Sequence, residues 1–381
     1  MRLAFLLYKY FPYGGLQRDF RRFVEELKQR GHSCRVYCAS WQGEELAGVD
    51  LRRVPVSAAS NIRRNAQFLR WVQADLTADP VEGVIGFNKM PGLDVYFAAD
   101  PCFLDKALNQ RGAWYRWSPR FRHFAAAERA VFGSGSDTEI LLIAATEQRK
   151  FAQYYRTAPG RMHLLPPGVN PERRAPADRL ALRDRVRDDL GVSPEEQVLL
   201  LVGSGFITKG LDRAIRALAH VEQHRPGLEP RLLVAGQDRE NRFRRLARRL
   251  GVAEQVRFLG GRDDVPDLML AADVLVHPAR SEAAGVVLLE ALVAGLPVVV
   301  TEICGYAHHI AAAQAGVVLS RPFQQAALDE ALVRVLAQEF NGQCRRGALA
   351  YAQREDLYSM HRTGADLIEQ ILGRRGSQTH G

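Results

Sequence analysis

Two α/β domains, each a doubly wound parallel sheet, are what this sequence predicts, and three observations predict them. Short, almost wholly apolar runs rich in β-branched residues recur along the chain, as strands buried on both faces require. Helix-patterned stretches separate these runs, and regular strand–helix alternation implies parallel pairing with helices on the faces. A chain of 381 residues is long for one core, and it divides at a Pro-rich, aperiodic stretch over 165–178. The expected domains are 1–165 and 166–354, with a C-terminal helix over 355–381 packing back on the first domain. Ligands of doubly wound sheets bind at the carboxyl ends of strands, so the expected site is a cleft between the two domains.

In the first domain the strand candidates are RLAFLLY (2–8), SCRVYCA (33–39), VEGVIGF (81–87), VYFAAD (95–100) and EILLIAAT (139–146), with helices over 15–30 and 61–78. In the second they are QVLLLVGSG (197–205), RLLVAGQD (231–238), VRFLGG (256–261), DVLVHPA (273–279) and PVVVTE (297–302). The stretch 355–372 is helical in pattern.

Composition narrows the class. Hydrophobic residues make up 47% and charged residues 25%, the proportions of a soluble globular protein. No stretch approaches the roughly 18 uninterrupted apolar residues of a membrane span. The opening MRLAFLLYKYFPYGG reads as a first strand rather than a signal peptide, because Lys9 closes its apolar core early. Five scattered cysteines without a CxxC pair argue for a reducing compartment and against a disulfide framework or structural zinc. The net charge of +9 is uneven: residues 1–165 carry +8 and the remainder +1. An anionic partner for the first domain is the expectation.

Several motifs carry chemistry. In SEAAGVVLLEALVAGLPVVV (281–300) two carboxylates, Glu282 and Glu290, punctuate an apolar run. A helix opening near Gly285 places Glu282 in the loop ahead of it and Glu290 in its second turn. Eight helical steps climb about 12 Å, so the two acids cannot share one proton or one metal. They suit opposite parts of one long ligand, such as a sugar nucleotide whose diphosphate lies on the helix N-terminus. The alternative is a solvated loop acid and a core-edge glutamate paired with an arginine. FPYGGLQRDF puts Gly14 and Gly15 at a strand-to-helix turn, where backbone can approach a phosphate or sugar; a plain tight turn explains them as well. LLLVGSGFITKG repeats the theme with Gly203, and sets Lys209 at a helix start to meet a diphosphate. HVEQH (220–224) lacks the glutamate of a zinc protease and reads as a solvated helix face. No D-x-D occurs, which removes the usual sign of a metal-held diphosphate, and no metal or other cofactor is expected.

The stretch 103–132 holds seven of the 32 aromatics and six Lys/Arg against two acids. Ser118 and Pro119 read as the cap and first residue of a helix on which Phe121 and Phe124 share a face. Trp114, Arg116, Trp117, Arg120, Phe121 and Arg122 compose a segment suited to an anionic membrane surface. Aromatics in the core beneath solvated arginines are the competing reading. Nucleic acid has no recognised motif here.

EAAGVVLLEA resembles the E-x7-E signature of retaining, nucleotide-sugar-dependent glycosyltransferases of the GT-B fold. LYKYFPYGGLQRDF, GFNKMPGLDVYFAAD, LLPPGV, HPARSEAAGVVLLEA and CGYAH, in that order, are similar to the branch that builds the lipopolysaccharide core. The resemblance implies two Rossmann-like domains facing each other across a cleft, and transfer of a hexose from a UDP-sugar to an inner-core heptose at the cytoplasmic face of the bacterial inner membrane. It implies that Glu290 holds the ribose, Glu282 the donor sugar, and the amides of Ala283, Ala284, Gly285 and Val286 the diphosphate and sugar. Gly14 and Gly15 would close on the donor, Lys209 would neutralise the leaving diphosphate, and Arg262 would lie beside the uracil. Asp100 occupies a place near the acceptor where many relatives have His. Many relatives also pair the lysine with an arginine; Ser204 and Thr208 stand at those positions, leaving Arg173 or Arg280 as substitutes. Catalysis would rest on Glu282, Asp100 and Lys209. A UDP-sugar epimerase of the same fold is the alternative activity.

Overall fold

The computed structural model describes every residue except Tyr13, Arg111, His380 and Gly381, and the chain forms two compact units. One comprises Met1–Pro166 with the chain from Ser359 onward; the other is Pro167–Tyr358.

The first unit is built on seven parallel strands: β1 (Arg2–Tyr10), β2 (Ser33–Trp41), β3 (Asp50–Arg53), β4 (Gly83–Gly86), β5 (Val95–Ala98), β6 (Glu139–Leu142) and β7 (Met162–Leu164). Their order is β3-β2-β1-β4-β5-β6-β7. The second unit has six: β8 (Gln197–Val202), β9 (Pro230–Ala235), β10 (Val256–Gly260), β11 (Val274–His277), β12 (Val298–Thr301) and β13 (Gly316–Leu319). These run β10-β9-β8-β11-β12-β13, again all parallel. The winding direction reverses between β1 and β4 in one sheet and between β8 and β11 in the other. At such a switch point the loops diverge to either face and leave a crevice.

Three strands fall outside the expected set: β3 (DLRR), β7 (MHL) and β13 (GVVL), the last apolar but only four residues long. All three lie at sheet edges, where one flank is open; β3 and β7 carry polar residues there, as an edge strand can. Two expected boundaries shift. The strand in EILLIAAT stops at Leu142 because the helix Ala145–Tyr155 begins three residues later. The helical stretch at 355–372 is a loop followed by the helix Met360–Thr379.

That last helix packs on the helix Gly15–Gln29 within the first unit. Gly364 permits the approach, since a Cβ there would lie 2.4 Å from the Phe23 ring. Arg30 reaches Asp366 at 2.6 Å and Glu369 at 2.9 Å, and His32 meets Glu369 at 2.6 Å. The five cysteines are free and buried. Among the described residues no helix is long and apolar enough to cross a membrane.

Candidate active site

The second unit gathers its chemistry at the switch point between β8 and β11. After β8, Gly203 turns at φ +125°, and a Cβ there would meet the Lys209 side chain at 3.0 Å. The lysine is thus laid across a position that only glycine leaves open. It ends a one-turn helix, Phe206–Lys209, directly ahead of the helix Leu211–His224, rather than opening a helix itself. The neighbouring loop, after β11, is tied to this one: Arg280 N donates to the Thr208 carbonyl at 2.7 Å, and its guanidinium forks onto Asp212 at 2.7 and 2.8 Å.

These ties bring Glu282 to Lys209, whose ammonium donates to Glu282 Oε2. The same oxygen lies 3.3 Å from Nε2 of His277, a fully buried residue at the end of β11. Burial alone would raise the Glu282 pKa; the His277 hydrogen bond and the Lys209 charge overcome it and hold the carboxyl at about 2. Burial pushes the His277 pKa down, so the imidazole is neutral beside an ionised carboxylate. Nε2 then carries the proton, and Nδ1 faces no partner. Sequence reading missed His277. Its signal was a histidine closing an apolar strand five residues ahead of the first motif acid.

The loop runs on to Gly285, at φ +83°, which caps the helix Val286–Ala294. The carbonyls of Ala283 and Ala284 accept from Gly305 N and Tyr306 N at 3.0 and 2.8 Å. A trans peptide sets C=O and N–H in opposite directions, so the amides of Ala284 and Gly285 point away from residues 305–306. With the Val286 amide, which has no partner inside its helix, they form a set of donors at a helix N-terminus. The CGYAH motif therefore orients this loop.

Glu290 stands in the second helical turn, almost fully buried, with Oε1 3.0 Å from Arg173 Nη1. The alternative of a core-edge glutamate paired with an arginine is realised in that contact. Arg173 and Arg280, the two substitutes for the missing diphosphate arginine, are each held by a carboxylate. Arg262 forks onto Asp264, with Nε 2.7 Å from Oδ1, and stays partly exposed.

Gly14, Gly15 and Asp100 belong to the first unit. A Cβ on Gly14 would meet the Gln17 carboxamide, whose Nε2 donates to the Lys9 carbonyl at 3.1 Å; Gly15 starts the helix in open space. Asp100 lines a cavity of about 600 Å³ that opens beside Tyr8 of β1 and Asn88 just after β4, the switch point of this sheet. Asn88 Oδ1 accepts from Tyr8 N at 2.8 Å and joins the two strands there.

The segment 103–132 is a helix (Phe103–Gln110), a 3₁₀ turn (Ala113–Trp117) and a helix (Pro119–Phe132). Ser118 Oγ accepts from Phe121 N at 3.0 Å, as a cap should. Trp114 and Trp117 are 87% and 79% exposed, and Arg116, Arg120 and Arg122 are exposed with them. Phe121 separates from this group: it packs half-buried on Phe103 and Tyr115, with centroids 5.8 and 5.9 Å away. Arg111, one of the six cations counted here, lies outside the described residues. His220 and His224 stack on each other, and among the described residues no group of three or more His, Cys, Asp or Glu is placed to hold a metal.

Two doubly wound units, one bearing an acid–lysine pair and a helix N-terminus at its switch point, have the form of a nucleotide-sugar transferase. Residues 183–355 match the family model for glycosyl transferases group 1, and residues 13–173 that for glycosyltransferase family 4. The chain is 46% identical over 369 residues to lipopolysaccharide glucosyltransferase WaaG of Escherichia coli (strain K12), covering 97% of this chain and 98% of that one. The crystal structure of WaaG, a glycosyltransferase involved in lipopolysaccharide biosynthesis, matches with a TM-score of 0.92 at 45% identity, over 96% of this chain and 99% of the other. Anabaena HepE in complex with UDP and glucose shares the fold, with a TM-score of 0.74 at 18% identity over 97% of this chain and all of the other. The chain belongs to the lipopolysaccharide glucosyltransferase family.

Proposed function

We propose that the chain transfers a hexose from a UDP-sugar to an inner-core heptose of lipopolysaccharide, with retention of configuration. The observation that carries this is the convergence, at the β8–β11 switch point, of an ionised Glu282, Lys209 and the outward amides ahead of Val286. An ammonium has three donors and Glu282 takes one, so Lys209 can also meet a diphosphate. The helix N-terminus adds partial positive charge where negative charge grows on the leaving group. Glu282 then contacts the transferred sugar, Arg262 lies beside the uracil, and Asp100 stands on the acceptor side. The departing phosphate oxygen takes the acceptor proton, so no protein base is required. A UDP-sugar epimerase is not favoured by the relatives above. Purified protein incubated with a panel of UDP-sugars and a heptose-terminated core acceptor should add one hexose, read as product mass; no adduct with any donor overturns the reading.

Glu290 is assigned to the ribose hydroxyls, for which a carboxylate is a two-pronged acceptor. Loss of charge-assisted hydrogen bonds of about 1.5–3 kcal/mol in Glu290→Ala should weaken UDP by roughly ten- to a hundredfold. Calorimetry showing unchanged UDP affinity in the folded variant removes the assignment.

The diphosphate is held by Lys209 and amides, with no metal assigned to it. Excess EDTA should therefore leave the rate almost unchanged, whereas a collapse restored by Mg²⁺ or Mn²⁺ would contradict this arrangement.

The protein acts as a peripheral protein on the cytoplasmic face of the inner membrane, through Trp114, Trp117, Arg116, Arg120 and Arg122. All five are exposed on one segment of a domain with excess positive charge. Each basic residue near an anionic surface contributes about 1 kcal/mol, screened by salt, while the indoles add a share that salt does not remove. Binding to anionic vesicles should fall with salt without vanishing, and changing the three arginines to Ser should weaken it strongly. Equal binding of the unmodified protein to neutral vesicles argues for a merely solvated helix.

A further inference from the structure

We infer that His277 is a positioning residue for hexose transfer, holding one carboxylate oxygen of Glu282 so that the other is presented to the donor sugar; this rests on the transferase reading and adds a residue to it.

His277 closes β11, whose other residues are Val274, Leu275 and Val276, and its side chain has no exposed surface. As a packing residue alone it is a poor choice, because Nδ1 is buried without a partner. An apolar ring of similar size would fill the same space and leave nothing unsatisfied. The one side-chain hydrogen bond it makes among the described residues joins Nε2 to Glu282 Oε2 at 3.3 Å.

Glu282 needs such an anchor. It sits in the irregular loop between β11 and the helix Val286–Ala294. The backbone of that loop is tied at Ala279, Arg280, Ala283 and Ala284, but none of these ties fixes the carboxylate. Among the described residues its side chain hydrogen-bonds to Lys209 and His277, and both meet Oε2. Oε1 therefore keeps its lone pairs for a hydroxyl of the sugar. The two partners differ in rigidity. Lys209 is a partly exposed ammonium on a flexible four-carbon stem, and it has to share its donors with the leaving diphosphate. The imidazole is short, fully enclosed and mounted on a strand end, where geometry is held more closely than in a loop. When a diphosphate draws on the ammonium, His277 is the contact that keeps the carboxylate in place. Burial keeps the ring neutral, so it donates without adding a second cation.

The test measures kcat and KM for hexose transfer from a UDP-sugar to a heptose-terminated core acceptor, with UDP calorimetry and melting curves on the same preparations. His277→Phe keeps a ring and removes the donor. Its kcat should fall by about ten- to a hundredfold, the scale of a small misplacement at a reacting centre, while UDP affinity stays as it was. His277→Gln, whose amide nitrogen falls where Nε2 stands, should recover most of the rate. His277→Asn, whose amide nitrogen falls at Nδ1, should not. In the Glu282→Ala background, adding His277→Phe should cost no more than about a further twofold, because the two residues act as one unit. Should His277→Phe fail to fold, the comparison of Gln with Asn decides alone. An unchanged kcat in His277→Phe, an undiminished loss in the Glu282→Ala background, or equal recovery by Gln and Asn overturns the inference. A parallel fall in kcat and UDP affinity makes His277 a packing residue and overturns it also. Each of these leaves the transferase reading standing, whereas no hexose transfer by the unmodified protein brings down both.

Discussion

Glu282→Ala is expected to lower hexose transfer by about a hundred- to a thousandfold while UDP binds as before, the scale typical of losing one preorganised polar contact to a transition state. The asymmetry follows from position. Glu282 lies in the loop ahead of the donor-like amides, tied to Lys209 and His277, whereas Glu290 lies a turn and more into the helix. Removing Glu282 frees the Lys209 ammonium, so attraction for a diphosphate is retained while the contact to the sugar is lost. Turnover rates and UDP calorimetry on the same preparation decide it: parallel losses would place Glu282 on the nucleotide. The charge state needs no adjustment near neutrality. With its pKa depressed to about 2, the carboxyl contributes stability that is present above the ordinary carboxylate range near 4 and is lost as pH falls toward 2.

A second large effect is expected within the first unit. Glu128, with no exposed surface, is the hub of the 103–132 segment. It pairs with Lys89 and accepts from Phe103 N at 2.8 Å, Leu104 N at 3.0 Å and Tyr155 Oη at 2.6 Å. Glu147 completes the arrangement by accepting from Cys102 N at 2.7 Å. Two carboxylates from other helices thus cap the helix Phe103–Gln110, where its own sequence supplies no cap. Glu128→Ala leaves two amides and a phenol without their acceptor and the Lys89 ammonium without its counter-charge, with only the Pro101 carbonyl at 2.9 Å, a loss of about 3–5 kcal/mol. For a unit of this size that lowers the melting temperature by on the order of 10 °C. Calorimetry should show it, with UDP affinity of the other unit unchanged. A shift of a degree or two would mean that the network contributes little.

Much of this molecule is legible from residue order alone. Strands buried on both faces must be apolar throughout, so both sheets announce themselves; the edge strands β3 and β7, freed from that demand, escape notice, as does β13, apolar but only four residues long. The E-x7-E spacing placed one acid before a helix and one inside it, because helical rise and rotation are local geometry. Ser118 and Pro119 declared a helix start for the same reason, and the GT-B resemblance tied these local signals to a nucleotide sugar.

Pairing is what residue order could not determine, since a partner is chosen by three-dimensional proximity between segments far apart in the chain. The tertiary structure alone put Arg173 on Glu290, Arg280 on Asp212, and Lys209 with His277 on Glu282. It turned the CGYAH motif into the support that orients the loop at Ala283 and Ala284, and drew Phe121 inward while leaving Trp114 and Trp117 outside. Local sequence sets periodicity and caps through contacts a few residues apart. Which charges neutralise one another depends on how separate strands and loops converge, and only folding brings those distant groups within hydrogen-bonding range.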